Sequence, residues 1–163
     1  MKKILFVCTA NICRSPMASM LFNALARERG IAARAESAGV AALEGEQMAE
    51  NSALALREAG VEPDPQHRAR QVTGEMLREA DLILTMSPQH AAAIRKLLGE
   101  SPEKLYTLPE YAAGSPDSIS DPYGGSFSGY RASLRQILGY VEGALDRLQR
   151  EDTGRNESQV EVE

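Results

Sequence analysis

An unbroken apolar stretch, Ile4-Leu5-Phe6-Val7, runs directly into Cys8-Thr9-Ala10-Asn11-Ile12-Cys13-Arg14-Ser15-Pro16, and a helix-forming run from Met17 to Leu25 follows at once. A strand with no polar side needs cover on both faces, which is the habit of parallel sheets. The short connection leaves Cys8 at the carboxyl end of that strand, where open α/β sheets hold their ligands. Such a loop can wrap its backbone N–H groups around one tetrahedral anion, with a helix N-terminus behind them. The same positive field, with Arg14 in it, favours a thiolate, since such settings lower thiol pKa values to about 3.5–7.5. Nucleophile and oxyanion binder then share one turn, which reads as a covalent phosphate site.

The rest of the chain repeats the strand–helix alternation. Lys3 to Val7 reads as a central strand. Ser15 is placed to cap the following helix, Pro16 suits its first turn, and Gly30 ends it. Ala33 to Ala38 forms a second strand, residues 41–50 a Glu-rich loop, and Asn51 to Glu58 a helix stopped by Gly60. Pro63-Asp64-Pro65 excludes helix or inner strand. Thr73 caps a short helix from Gly74 to Ala80, Asp81 to Met86 is a buried strand, and Ser87-Pro88 opens a helix ending near Leu98. Lys104 to Leu108 is the last strand. A loop from Pro109 to Gly125 precedes a final helix, Ser126 to Gln149, and loops of that length tend to be functional. The alternation predicts a parallel sheet covered on both faces in one domain over residues 1–150. From Glu151 to Glu163 apolar spacing stops, and an acidic, disordered tail is expected.

Charge and cysteine usage narrow the function. The net charge of −5 over 163 residues argues against a nucleic-acid surface, so an anion site must make its positive field locally. Cys8 and Cys13 are the only cysteines and share one loop, which excludes a disulfide framework and leaves no metal-ligand spacing. No apolar run approaches the roughly 20 residues of a membrane span. The expectation is a cytoplasmic monomer that needs no cofactor or metal and touches neither membrane nor nucleic acid.

Cys8, Arg14 and Asp121 make a consistent chemical set. Cys8 attacks phosphorus in line, and Arg14 binds two equatorial oxygens as charge spreads in the transition state. The leaving oxygen needs a proton and the incoming water a base; Asp121, stiffened by Pro122, is the candidate for both. To act as an acid near neutral pH, Asp121 needs a pKa above the usual value of about 3.9. Taken alone, Asp-Pro marks a turn, and a buried cysteine is a small apolar residue. Of the two histidines, His67 reads first as structural and His90 as a solvated helix residue. Tyr123 either lines the mouth of the site or packs within its loop.

With those segments in order, the chain resembles the low-molecular-weight protein tyrosine phosphatases. The resemblance rests on Cys8-Thr9-Ala10-Asn11-Ile12-Cys13-Arg14-Ser15, Ser37-Ala38-Gly39, His67-Arg68-Ala69-Arg70, Asp81 to Met86 and Asp121-Pro122-Tyr123. It implies a three-layer α/β/α fold, flavodoxin-like, of the phosphotyrosine phosphatase I type, with four parallel strands in the order 2-1-3-4. It implies Cys8 as nucleophile, Arg14 as phosphate binder and Asp121 as general acid and base. Residues Thr9, Ala10, Asn11, Ile12, Cys13 and Ser15 would line the phosphate, Asn11 and Ser15 would organise the loop, and His67 and Ser37 would brace it. It also favours a disulfide between oxidised Cys8 and Cys13 that shields the nucleophile. One departure is Ala10, where the family usually has Gly; a left-handed backbone there would carry strain of about 1–2 kcal/mol.

The partner implied is a phosphorylated protein, with inorganic phosphate as product or inhibitor. The segments from Thr107 to Tyr111 and from Asp121 to Ser126 also resemble the bacterial protein-arginine phosphatases, which carry Thr where this chain has Ile12. Ile12 cannot hydrogen-bond a guanidinium but can pack on a phenyl ring. Phosphotyrosine is the expected substrate and phosphoarginine the alternative. Arsenate reduction by a cysteine relay would need a third cysteine, and a silent phosphate-binding module would not need the Cys8, Arg14 and Asp121 set.

Overall fold

The computed structural model describes residues 1–162. Its elements follow the chain as β1 (Lys2–Cys8), α1 (Arg14–Arg29), β2 (Ala33–Gly39), α2 (Glu50–Glu58), α3 (Gly74–Glu79), β3 (Leu82–Thr85), α4 (Pro88–Leu98), β4 (Leu105–Thr107), α5 (Leu108–Ala113) and α6 (Phe127–Val162). The strands form one sheet in the order β2-β1-β3-β4, parallel throughout. This is the flavodoxin-like order that the resemblance implies.

The unbroken apolar strand explains the two-sided cover. Ile4 and Phe6 pack with Met17, Leu21 and Phe22 of α1, Leu56 of α2 and Ile137 and Val141 of α6. Leu5 and Val7 point the other way, into a second core with Leu77 of α3 and Ala91 and Ile94 of α4. Alternation along a strand divides adjacent side chains between the two layers. Burying each of the larger ones contributes about 1.5–3 kcal/mol. The free edge of β2 is blocked by side chains. The Asn23 amide accepts from the Ala35 N–H and donates to the Ala35 carbonyl, at 2.7 and 3.0 Å.

Two elements differ from the sequence pattern. The loop expected from Pro109 begins with helix α5, whose start Thr107 caps through Oγ1, accepting from the Glu110 N–H at 3.1 Å. Thr107-Leu108-Pro109-Glu110 has capping-box spacing, a signal that the apolar pattern of Leu105 to Leu108 conceals. The last helix passes the expected stop at Gln149 and continues to Val162; of the acidic tail expected over 151–163, Glu163 lies outside the described residues. The extension includes Glu151, whose carboxylate accepts from Tyr111 Oη at 3.1 Å and Arg147 Nε at 3.0 Å. No helix of the described residues is long and apolar enough to cross a membrane.

Candidate active site

The loop between β1 and α1 is tied down from three sides. Register sets Cys8 opposite Gly39 of β2. The following segment then binds back, the Val40 N–H to the Cys8 carbonyl at 3.0 Å and the Ala41 N–H to the Thr9 carbonyl at 2.9 Å. Farther on, the Ala49 N–H reaches the Ile12 carbonyl at 2.9 Å. Gly39 is required here: a Cβ would lie 2.5 Å from the Thr9 carbonyl oxygen and 3.1 Å from the Asn11 nitrogen.

Ser15 does not cap α1. The helix starts at Arg14 after Cys13, with no side-chain cap, so among the described residues no side chain occupies the first-turn amides. An anion facing them would meet open donors and the positive end of the helix dipole. The Ser15 hydroxyl points instead to the sulfur of Cys8, at 3.0 Å. Because Ser15 Oγ accepts from Asn11 Nδ2 at 2.8 Å, its own hydrogen is left for that sulfur or, more weakly, for the Ala38 carbonyl at 3.5 Å.

Asn11 is the hub. It alone among the described non-glycine residues has positive φ, 60°, and it is fully buried. The strain expected at Ala10 is therefore absent, because the left-handed turn falls on the next residue, a type that tolerates it. Asn11 Nδ2 also donates to Ser37 Oγ at 2.9 Å, and Oδ1 accepts from the Arg70 N–H at 3.1 Å. Its carbonyl accepts from His67 Nε2 at 2.9 Å. Burial pushes the His67 pKa below its usual value, which suits a neutral ring donating through Nε2. His67 and Ser37, the two residues expected to brace the loop, both hydrogen-bond to Asn11. Arg70, which also holds the Ser37 carbonyl at 2.9 Å, is an additional brace that the motif His67 to Arg70 contains but does not single out.

Arg14 is 6% exposed. Nη1 donates to the Ile119 carbonyl at 3.1 Å, and Nη2 lies 3.5 Å from Asp121 Oδ2. Asp121 is both a turn residue and a partner of the guanidinium: Oδ1 accepts from the Tyr123 N–H at 3.1 Å, while Oδ2 faces Arg14. Tyr123 is 71% exposed, which removes the packed-aromatic alternative. Ile12 is half-buried against the first core. Both cysteines are free and buried, and Cys13 Sγ lies 3.6 Å from the Tyr130 hydroxyl. Burial raises the pKa of Cys13.

The expectation of a solvated His90 is corrected by the structure, in which it is 5% exposed. Its Nε2 is 2.9 Å from Thr9 Oγ1 and its Nδ1 is 3.0 Å from Ser87 Oγ. It occupies the third position of α4, whose start the loop after β3 carries up to Thr9. Helical spacing alone does not distinguish such a position from solvent.

Residues 3–154 match the family described as low molecular weight phosphotyrosine protein phosphatase. The chain is 38% identical to the protein-arginine-phosphatase of Bacillus subtilis, over 82% of this chain and 88% of that one. It is 35% identical to the low molecular weight protein-tyrosine-phosphatase PtpB of Staphylococcus epidermidis, over 86% and 94%. A structure of a YwlE mutant from Bacillus subtilis superposes with a TM-score of 0.87 at 33% identity, covering 91% of this chain and 99% of that one. A further solved structure is a cysteine-to-serine mutant of the YwlE arginine phosphatase whose active-site serine is phosphorylated, with a TM-score of 0.86, 33% identity, and coverage of 90% and 95%. The chain belongs to the low molecular weight phosphotyrosine protein phosphatases, a family of hydrolases.

Proposed function

We propose that this protein hydrolyses phosphotyrosine in proteins, with Cys8, Arg14 and Asp121 as its catalytic residues. Cys8 attacks phosphorus as thiolate; the S–P bond forms as the bond to the tyrosine oxygen breaks, and Asp121 passes its proton to that oxygen. Asp121 then takes a proton from water, the water oxygen bonds to phosphorus, and the S–P bond breaks to return the thiolate and release inorganic phosphate. Arg14 and the amides from Thr9 to Ser15 hold the equatorial oxygens throughout. The observation that carries the reading is the convergence of four groups at one loop: the Ser15 hydroxyl 3.0 Å from the Cys8 sulfur, and the Arg14 guanidinium 3.5 Å from Asp121. The catalytic unit is residues 1–150, acting as a monomer.

Ile12 decides between a phosphate ester, phosphotyrosine, and a phosphoramidate, phosphoarginine. Its aliphatic side chain offers a phenyl ring contact worth about 1–2 kcal/mol and offers a guanidinium no hydrogen bond. Phosphoarginine is the second reading, favoured by the 38% identity to a relative named for that activity. On matched peptides the wild-type chain should turn over phosphotyrosine faster than phosphoarginine. Ile12→Thr should raise the phosphoarginine-to-phosphotyrosine ratio of kcat/KM by about tenfold or more, the equivalent of one hydrogen bond of about 1.4 kcal/mol. A wild-type preference for phosphoarginine would remove the Ile12 argument.

Cys13 protects the nucleophile. Peroxide converts Cys8 to a sulfenic acid; the Cys13 sulfur attacks it, water leaves, and a disulfide forms. Peroxide-treated wild type should regain activity in dithiothreitol, whereas Cys13→Ser should recover little. Equal recovery by both would show that Cys13 merely packs beneath the loop beside Tyr130.

A further inference from the structure

Thr9 is an exposed residue at the second position of the phosphate loop, directly after the nucleophile of the proposed reaction. The partner of Thr9 Oγ1 among the described residues is His90 Nε2, at 2.9 Å. The other ring nitrogen of His90 meets Ser87 Oγ at 3.0 Å, and that oxygen also accepts the His90 backbone N–H, at 3.4 Å, as the cap of α4. His90 and Ser87 are both buried.

Counting hydrogens along this chain of contacts selects one arrangement. A neutral imidazole has one donor and one acceptor. If Nδ1 carried the hydrogen, Ser87 Oγ would accept twice and its own buried hydrogen would have no acceptor among the described residues. If Nε2 carries it, the Ser87 hydroxyl donates to Nδ1, His90 Nε2 donates to Thr9 Oγ1, and both buried side chains are satisfied. Thr9 Oγ1 then has a lone pair occupied and its hydrogen free.

We propose that His90 is a positioning residue which fixes Thr9 as a hydroxyl donor to the phosphoryl group bound in the loop. The assignment rests on the phosphatase reading above and adds a donor to it. His90 senses the charges of both Arg14 and Asp121, which sets its ring beside the same site, and burial followed by the Arg14 charge presses its pKa down to about 4. The ring is therefore neutral wherever the enzyme works near neutrality. A neutral ring orients Thr9 without adding a charge that would compete with Arg14 for the carboxylate of Asp121.

The test is a set of variants assayed on a phosphotyrosine peptide, with orthophosphate as competing inhibitor. Thr9→Val, isosteric and exposed, should weaken orthophosphate inhibition about tenfold and lower kcat more than it changes KM, because a hydrogen bond to the phosphoryl oxygens strengthens as charge spreads. His90→Ala should do the same, and the double variant should lose no more than the worse single one. His90→Gln, which restores an N–H donor, should recover to within about threefold of wild type. Wild-type inhibition by orthophosphate in Thr9→Val would overturn the proposal, as would additive losses or a Gln variant no better than Ala. Thr9→Val carries the test should His90→Ala fail to fold. Cys8→Ser in the same panel separates the two readings. Its inactivity beside an unimpaired Thr9→Val sinks only the Thr9–His90 assignment, and its full activity sinks the phosphocysteine mechanism.

Discussion

Cys8→Ser should lower hydrolysis of phosphotyrosine peptides by at least about 10⁴-fold while leaving the fold and the affinity for orthophosphate in place. The loss is large because a serine hydroxyl is a poor nucleophile without a general base beside it. The group at hydrogen-bond distance from the Cys8 sulfur is the Ser15 hydroxyl, which has already accepted a hydrogen from Asn11 and is a donor, not a base. Removing a nucleophile that acts in concert with other groups costs nearly the whole catalytic effect. Stability should change little, because the new hydroxyl is buried next to the Ser15 oxygen and meets a partner there. The measurements are initial rates, orthophosphate binding by calorimetry, and thermal melts. Undiminished turnover, or a requirement for a divalent ion, would refute covalent catalysis by Cys8.

Asp121→Asn should cut kcat by about 10²–10⁴-fold for substrates whose leaving oxygen needs a proton, the range of general acid–base catalysis. Asn retains the turn, since its side-chain oxygen can still accept from the Tyr123 N–H, an interaction of 3.1 Å in the wild type. What it loses is the proton and the charge opposite Arg14. The carboxylate side of that pair is half exposed, so its loss should move the melting temperature little. The deficit should be smaller for nitrophenyl phosphate, whose leaving oxygen needs little help, and larger for tyrosine peptides. Equal deficits on both substrates would place Asp121 in loop folding and not in proton transfer.

Much of this site is legible in the order of the amino acids. The apolar run Ile4 to Val7 demands two-sided cover, and the strand–loop–helix junction sets Cys8 and Arg14 on one loop because both are near in sequence. Caps at Thr73, Ser87 and Gly99 are readable for the same reason, since a cap interacts within one turn. Helix α5 escapes such a reading although its capping-box spacing is local; the apolar-compatible residues before Pro109 make a longer strand equally consistent with the pattern.

The remaining features depend on pairs far apart in the chain. His90 belongs to a helix whose own periodicity says nothing of Thr9; only the order β2-β1-β3-β4, which sets β3 beside β1, carries the α4 terminus to the phosphate loop. Arg70 and Ser37 reach Asn11 by a crossover whose length is visible but whose end point is not. The left-handed residue is Asn11 and not Ala10 because the buried amide finds donors and acceptors on Ser15, Ser37 and Arg70, and those hydrogen bonds hold the backbone where it is. The amino-acid order by itself determined the strand–loop–helix turn that carries Cys8 and Arg14, and the layered sheet, because each is set by hydrophobic period and neighbouring residues. Tertiary packing decided which distant polar groups share the buried space around that turn, because a hydrogen bond is chosen by proximity in three dimensions and not by spacing along the chain.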